Sequence, residues 1–231
     1  MKKLFLISIL LVASFCSYAG ITYAPDTVQS RFFLLERLTG TKYMDAGHRN
    51  EGLYFIEEWT PGRIILESGE EIDNLSLHYN GFQDQLLWLK DRTVQIILDK
   101  NIVSEFFLMK SGVTYHFKKY KIKLAKDNRD TYCQELYEGK VKLLVIRKCK
   151  LDSDAFNEEM LYYIYVPRPV YCMLIGDKIY FLKNARIRSI YNAFPGKKDS
   201  LRQRIRQQHL KVKNEKDFIA TIHALEDILL L

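Results

Sequence analysis

Glycine and proline are scarce in this sequence, eleven and five among 231 residues, and cysteine is scarcer still at four. So little glycine and proline rules out a collagen-like or low-complexity chain, and the 48% apolar content rules out intrinsic disorder. So few cysteines rule out a disulfide-dense scaffold. Beyond Cys16 only Cys133, Cys149 and Cys172 remain, an odd set that allows one internal bridge at most, and buried free thiols are the expected state. The five histidines stand singly, without His-x-His, Cys-x-x-Cys or His-Glu-x-x-His spacing, so neither metal nor cofactor is expected. A Gly-x-Ser-x-Gly elbow, a glycine-rich phosphate loop and an EF-hand loop are also absent. The carboxylate pairs Glu57-Glu58 and Glu70-Glu71 read as solvated turns, because neighbouring strand residues point to opposite faces. His78 and His116 alternate out of apolar strand faces and read as solvent-facing.

What the chain has in quantity is aromatic and β-branched residues, including 15 tyrosines and 13 phenylalanines, which suit long strands joined by minimal turns. In residues 72–79, Leu75, Leu77 and Tyr79 alternate with Ser76 and His78, between Ser68-Gly69 and the hairpin signal Asn80-Gly81. Pro61-Gly62, Ser111-Gly112, Glu138-Gly139 and Gly176-Asp177 punctuate similar runs. Strands are predicted at 53–58, 62–67, 72–79, 85–90, 93–98, 102–110, 113–124, 131–138, 140–148, 160–166, 169–175 and 178–183. In 113–124 the apolar phase shifts from Val113, Tyr115 and Phe117 to Tyr120, Ile122 and Leu124, which predicts a bulge near Lys118-Lys119. The predicted class is mainly β with an α appendage: an antiparallel meander forming a barrel-like or sandwich domain over 53–183, after a segment, 20–52, whose pattern is mixed.

At Asn184 the apolar period changes from two to 3.6 and a basic three-helix region, 184–231, begins. Asn184 is placed to cap a first helix that Pro195-Gly196 ends. Leu201, Ile205 and Leu210 mark a second. Asn214 and Asp217 resemble a capping box for a third, whose stripe of Phe218, Ile222, Leu225 and Leu229 predicts a compact three-helix bundle. From Lys183 to Asp217 eleven Lys and Arg stand against three acids, while the strand region is net acidic. Lys197, Lys198, Arg202, Arg204, Arg206, Lys211 and Lys213 are therefore the candidate contacts to an anionic membrane surface or an acidic envelope partner. No nucleic-acid recognition motif accompanies them.

Lys2 and Lys3 followed by the apolar run Leu4 to Phe15 read as a secretory signal peptide, 1–19, with Ser17 and Ala19 setting cleavage before Gly20. A lipid anchor on Cys16 is disfavoured by bulky Phe15 beside it. The runs IDNLSLHYNGFQDQLLWL (72–89), YCQELYEGKVKLLVIR (132–147) and IYFLKNARIRSIYNAFPGKKDSLRQRIRQQHLKVKNEKDFIATI (179–222) resemble uncharacterised exported β-rich proteins of Bacteroidetes-type bacteria. Tyr79, Asn80 and Asp84 form the strand-end signature of that resemblance, while His223-Ala224 departs from its aromatic tail. The resemblance implies an exported β-rich architecture and transfers no activity. The resulting expectation is a non-enzymatic binding or scaffolding module in the periplasm or at the outer membrane. The alternative is an envelope polysaccharide or peptide hydrolase whose acids only the fold brings together.

Overall fold

The computed structural model describes residues 35–44, 49–124, 127–153 and 162–230. The signal peptide, Cys16 and residues 20–34 lie outside the described residues. The strands are β1 (Gly40–Lys42), β2 (Arg49–Glu51), β3 (Thr60–Leu66), β4 (Glu71–Asn80), β5 (Gln85–Lys90), β6 (Val94–Leu98), β7 (Val103–Lys110), β8 (Val113–Leu124), β9 (Asp127–Glu138), β10 (Lys142–Ile146), β11 (Cys149–Leu151), β12 (Tyr162–Pro167), β13 (Val170–Ile175) and β14 (Lys178–Leu182). The helices are α1 (Ile187–Ala193), α2 (Lys198–Gln207) and α3 (Glu215–Leu230). Eleven strands form one antiparallel sheet in the order β1-β6-β5-β4-β3-β7-β8-β9-β10-β13-β14, and β11-β12-β2 form a small second sheet. The large sheet has β1 and β14 as its two outer strands and does not close into a barrel.

Local chemistry explains most of the meander. At the β7–β8 hairpin both Ser111 (φ 52°) and Gly112 (φ 75°) adopt the left-handed backbone that twist-matched two-residue turns require. The Asn80-Gly81 turn works differently from the sequence expectation. Gly81 is not left-handed; its missing side chain instead lets the turn approach the Arg147 carbonyl, which a Cβ would strike. The left-handed residue is Asp84 (φ 57°), and Asn80 Oδ1 holds the turn by accepting from the backbone N–H of Phe82 at 2.9 Å and Gln83 at 3.0 Å.

Two strand expectations are corrected, and one bulge is new. Residues 53–58 are not a regular strand: one bridge, Tyr54 to Asn80, and the Phe55 N–H to Tyr79 carbonyl bond at 2.9 Å tie them to the end of β4. A bulge sits in β4, where Asn74 (φ 56°) lies in the extra residue between the Gly62–Leu75 and Ile64–Ile72 pairs. β8 pairs in unbroken register through Lys118 and Lys119. Its phase shift arises because Phe117 and Ile122 are buried on opposite faces of the sheet, each in its own apolar cluster.

Register places Leu77, Tyr79, Trp88, Ile64, Phe106, Leu108 and Phe117 on one face, together with Tyr132, Leu143 and Val145 farther along the sheet. That apolar face is covered in two ways. Across β6 to β9 the sheet curls over its own aromatic core, where Phe106 stacks on Phe117 at 4.6 Å, Tyr79 packs against both, and Tyr132 packs against Phe106 and Tyr79. The Tyr132 N–H on β9 reaches Asp84 Oδ1 in the β4–β5 turn at 3.3 Å, although β3, β7 and β8 separate those strands in the sheet order. Across β9, β10, β13 and β14 the helices provide the cover. Phe218, Ile222, Leu225 and Leu229 on α3 are buried with Ile190, Leu201 and Ile205 against Val141, Leu143, Val145, Tyr171, Met173 and Leu182 of the sheet. The expected free-standing three-helix bundle is therefore corrected: the helices are a lid on the sheet. Asn214 does cap α3, accepting from the Asp217 N–H at 2.9 Å, but Asp217 reaches back to the Lys213 N–H rather than to Asn214.

Arg147, at the end of β10, sits where the two covers meet. Its guanidinium donates to both carboxylate oxygens of Glu215 on α3 at 2.9 and 2.7 Å, its Nε donates to Gln134 at 2.6 Å, and the Phe55 ring lies 5.3 Å away. Tyr171 completes the set by donating to Glu215 at 2.7 Å. Burial raises the Glu215 pKa, but the donors from Arg147 and Tyr171 outweigh it and hold the carboxyl below its usual range. At the far end of α3, Glu226 accepts from the Val141 N–H at 2.9 Å, so the helix is fixed to the sheet at both ends.

Ile222 is fully buried between sheet and helices. Ile222→Ala is therefore expected to lower stability by about 2–5 kcal/mol in urea melts, and exposed Lys198→Ala by less than about 0.5 kcal/mol. Equal small losses would mean that α3 is not packed on the sheet in solution.

Candidate functional site

A cavity of about 750 Å³ opens where the curl brings the β4–β5 turn, the β6–β7 turn, β1 and β9 together. Asp84, Gln85, Asp99, Lys100, Asp130 and Tyr132 supply its polar wall. Asp84 is the centre of that wall. Its Oδ1 accepts from the Tyr79 hydroxyl at 2.8 Å and from the Tyr132 N–H, and its Oδ2 pairs with Lys100. Lys100 also stands 4.8 Å over the Tyr132 ring, and its carbonyl accepts from Lys119 at 2.7 Å. Asp99 accepts from the Asn101 N–H at 2.9 Å, which shapes the β6–β7 turn.

Three independent signals converge here. Asp84 holds a left-handed backbone without being glycine, a conformation that costs free energy and concentrates at functional sites. Burial pushes its carboxyl above the usual aspartate value, and the Lys100 charge with the Tyr79 and Tyr132 hydrogen bonds only partly offsets that. Beside it, Gln85 Oε1 is buried and accepts no hydrogen bond among the described residues. An unmet buried acceptor calls for a donor from elsewhere.

The other sequence-level candidates divide. Of the seven basic residues, Lys197 and Arg204 are committed to structure: Lys197 donates to the Leu229 carbonyl at 2.6 Å and Arg204 to the Ala224 carbonyl at 3.5 Å. Arg202 lies 3.7 Å from Asp199 and over the Tyr191 ring, whereas Lys198, Arg206, Lys211 and Lys213 are exposed. They form no single site with the cleft.

Both outward histidines are corrected. His78 is 6% exposed, stacked on Tyr54 at 3.6 Å and bonded to the Ile56 carbonyl at 2.8 Å; burial lowers its pKa to about 4. His116 is half-buried between Glu105 at 2.7 Å and Glu135 at 2.9 Å, with Phe107 stacked on it. Burial lowers the His116 pKa, but the two carboxylates outweigh it and raise the value overall. Both ring nitrogens are occupied, so His116 serves as a cross-strand tie and has no free nitrogen for proton transfer. The Glu57, Glu58, Glu70 and Glu71 carboxylates each have partners, in Gly52, Lys110, Arg37 and Arg63 respectively. Cys133, Cys149 and Cys172 are free, and burial pushes the Cys149 thiol up to about 11, which keeps it protonated and poorly nucleophilic at neutral pH.

Gln85, Lys100, Asp130 and Tyr132 are site residues that sequence spacing does not reveal, since four separate elements contribute the wall. The one available pointer is the Tyr79, Asn80, Asp84 signature, whose first and last members are the hydrogen-bonded pair at its centre. No protein-family model, no curated protein and no solved structure matches this chain.

The Asp84 pKa is raised in the folded protein, so folding favours its protonated form. Its contribution to stability therefore falls as pH rises from the unfolded value of 3.8 through the folded one. NMR titration of the carboxyl is expected to give a midpoint above 3.8 in the native protein. Tyr79→Phe is expected to raise it further by removing a donor to the charged form. A midpoint at or below 3.8 would contradict this description of the cleft.

Proposed function

We propose that this protein is an exported, non-enzymatic binding module of the bacterial cell envelope, and that the Asp84 cleft is its ligand site. The observation that carries this reading is a polar cavity of about 750 Å³ whose wall gathers Asp84, Gln85, Asp99 and Asp130 from separate elements. With Asp99 and Asp130 on the same wall, the site offers acceptors in excess, so its ligand must be rich in donors. Saccharide hydroxyls fit that demand, and an envelope glycan is the ligand class the reading selects. The export part rests on the Lys2 to Ala19 leader pattern. The open sheet with a helix-covered half supports the finer architectural reading of a barrel-like β domain closed by helices.

The hydrolase alternative has one observation in its favour, the raised Asp84 pKa in a cleft that also holds Asp99 and Asp130. Against it, both Asp84 oxygens are already taken by Tyr79, Tyr132 and Lys100, and Asp99 is engaged in its own turn. Binding fits this arrangement better than turnover.

Calorimetric titration with soluble fragments of envelope polysaccharide is the test. Gln85→Leu and Asp130→Asn are each expected to weaken binding about tenfold, roughly one lost hydrogen bond at 1.4 kcal/mol per decade, with native thermal melts. Binding indifferent to both changes, or no binding to any glycan, would sink the assignment. New reducing ends during incubation, lost in Asp84→Asn, would establish the hydrolase instead.

A further inference from the structure

A second cavity, about 320 Å³, lies where β14 gives way to α1, far from any acid in its own lining. Lys183, Arg186 and Arg188 surround it together with Asn184, Ser189 and Asn192. We infer that this cavity is a phosphate-binding site, which the protein uses to hold a phosphate group carried by a lipid headgroup or by a small free phosphate.

The Ser189 hydroxyl donates to Asn184 Oδ1 at 2.7 Å and accepts from the Asn184 N–H at 3.2 Å. The Arg186 N–H donates to the Asn184 carbonyl and the Ser189 N–H to the Arg186 carbonyl, both at 2.9 Å. Ser189 is 4% exposed and neighbouring Ile190 is fully buried in the core, so the backbone bearing the three cations is fixed from below. Arg188 and Asn192 lie one helical turn apart and share a face.

Lys183, Arg186 and Arg188 are exposed, and three like charges gathered around one space repel one another unless an anion joins them. Elsewhere in the basic region Lys197 has the Leu229 carbonyl, Arg202 has Asp199 and Arg204 has the Ala224 carbonyl, while Lys198, Arg206, Lys211 and Lys213 are exposed and line no cavity with one another among the described residues. Among the described residues Lys183, Arg186 and Arg188 form no ion pair with a carboxylate, and every charged side chain lining the cavity is a cation. Two guanidinium forks suit the tetrahedral oxygens of phosphate, each able to donate twice, with the Lys183 ammonium as a further point charge. The volume is several times the ~30 Å³ that one water occupies in the liquid, room for a phosphate and its residual waters. Seven-residue α1 is too short for its own end to matter, so the side chains carry the site. The glycan cleft is built from other elements, and neither site depends on the other.

The test uses the purified protein with two probes, inorganic phosphate in calorimetry and flotation with vesicles of phosphatidylcholine, with or without phosphatidic acid. Arg186→Glu/Arg188→Glu is expected to weaken phosphate binding at least tenfold. Lys150→Glu/Lys216→Glu, an equal change in charge at exposed positions outside the cavity, is expected to stay within about twofold of the parent. If the glutamate pair fails to fold by circular dichroism, Arg186→Gln/Arg188→Gln replaces it with the same expectation. Flotation with phosphatidic acid that the Arg186/Arg188 variant loses assigns the site to a lipid headgroup, and phosphate binding without flotation assigns it to a free phosphate. Absence of both, or equal losses in the two double variants, overturns the proposal. Glycan titration of the same variants is expected to be unchanged, which separates this test from that of the cleft.

Discussion

An antiparallel sheet of eleven strands with a continuous apolar face cannot leave that face in water, and everything else in this protein follows from how the face is covered. One half curls around Tyr79, Phe106, Phe117 and Tyr132, and the other half accepts α3. The two solutions meet at Arg147, which is paired with Glu215 and Gln134 at the boundary. A half-buried ion pair of this kind adds little net stability compared with apolar residues of the same shape. Its removal from one side is costly, because the remaining charge is stranded where solvent is scarce. The pair therefore acts chiefly to fix where the helical lid sits.

The cleft is a consequence of the same curl. Bending the sheet far enough for the β4–β5 turn to reach β9 leaves a polar seam that no strand pairing can close. Asp84 spans that seam by taking donors from β4, β9 and the β6–β7 turn at once. Its left-handed backbone and raised pKa are the local cost of that span, repaid by the packing of the aromatic core beneath. On the proposed reading the structural seam is also the ligand site, so a ligand entering there would stiffen the curl.

Much of the fold was legible in the sequence because strand periodicity and turn chemistry are local. The runs around Leu77, Leu87 and Leu108 and the Asn214 cap of α3 could be read directly. Long-range cover could not. The shift from Phe117 to Ile122 looks the same whether a bulge or a change of buried face produces it, and only pairing with β7 and β9 distinguishes them. His78 alternates with apolar neighbours as a solvated residue does, yet the irregular 53–58 segment folds over it. The α3 stripe announces a partner without saying whether that partner is helix or sheet. The cleft was least legible of all, since Gln85, Lys100 and Asp130 are ordinary polar residues until topology gathers them.

The curled half and the helix-covered half are expected to behave as one cooperative body joined through Arg147. Native-state hydrogen exchange tests it most directly, by comparing the opening free energies of amides in β4, β10 and α3. The three sets are expected to agree within about 1 kcal/mol, at the level of global unfolding. Exchange of α3 through an opening several kcal/mol below that of β4 would contradict it, because the helices would then leave the sheet while the curl stays folded.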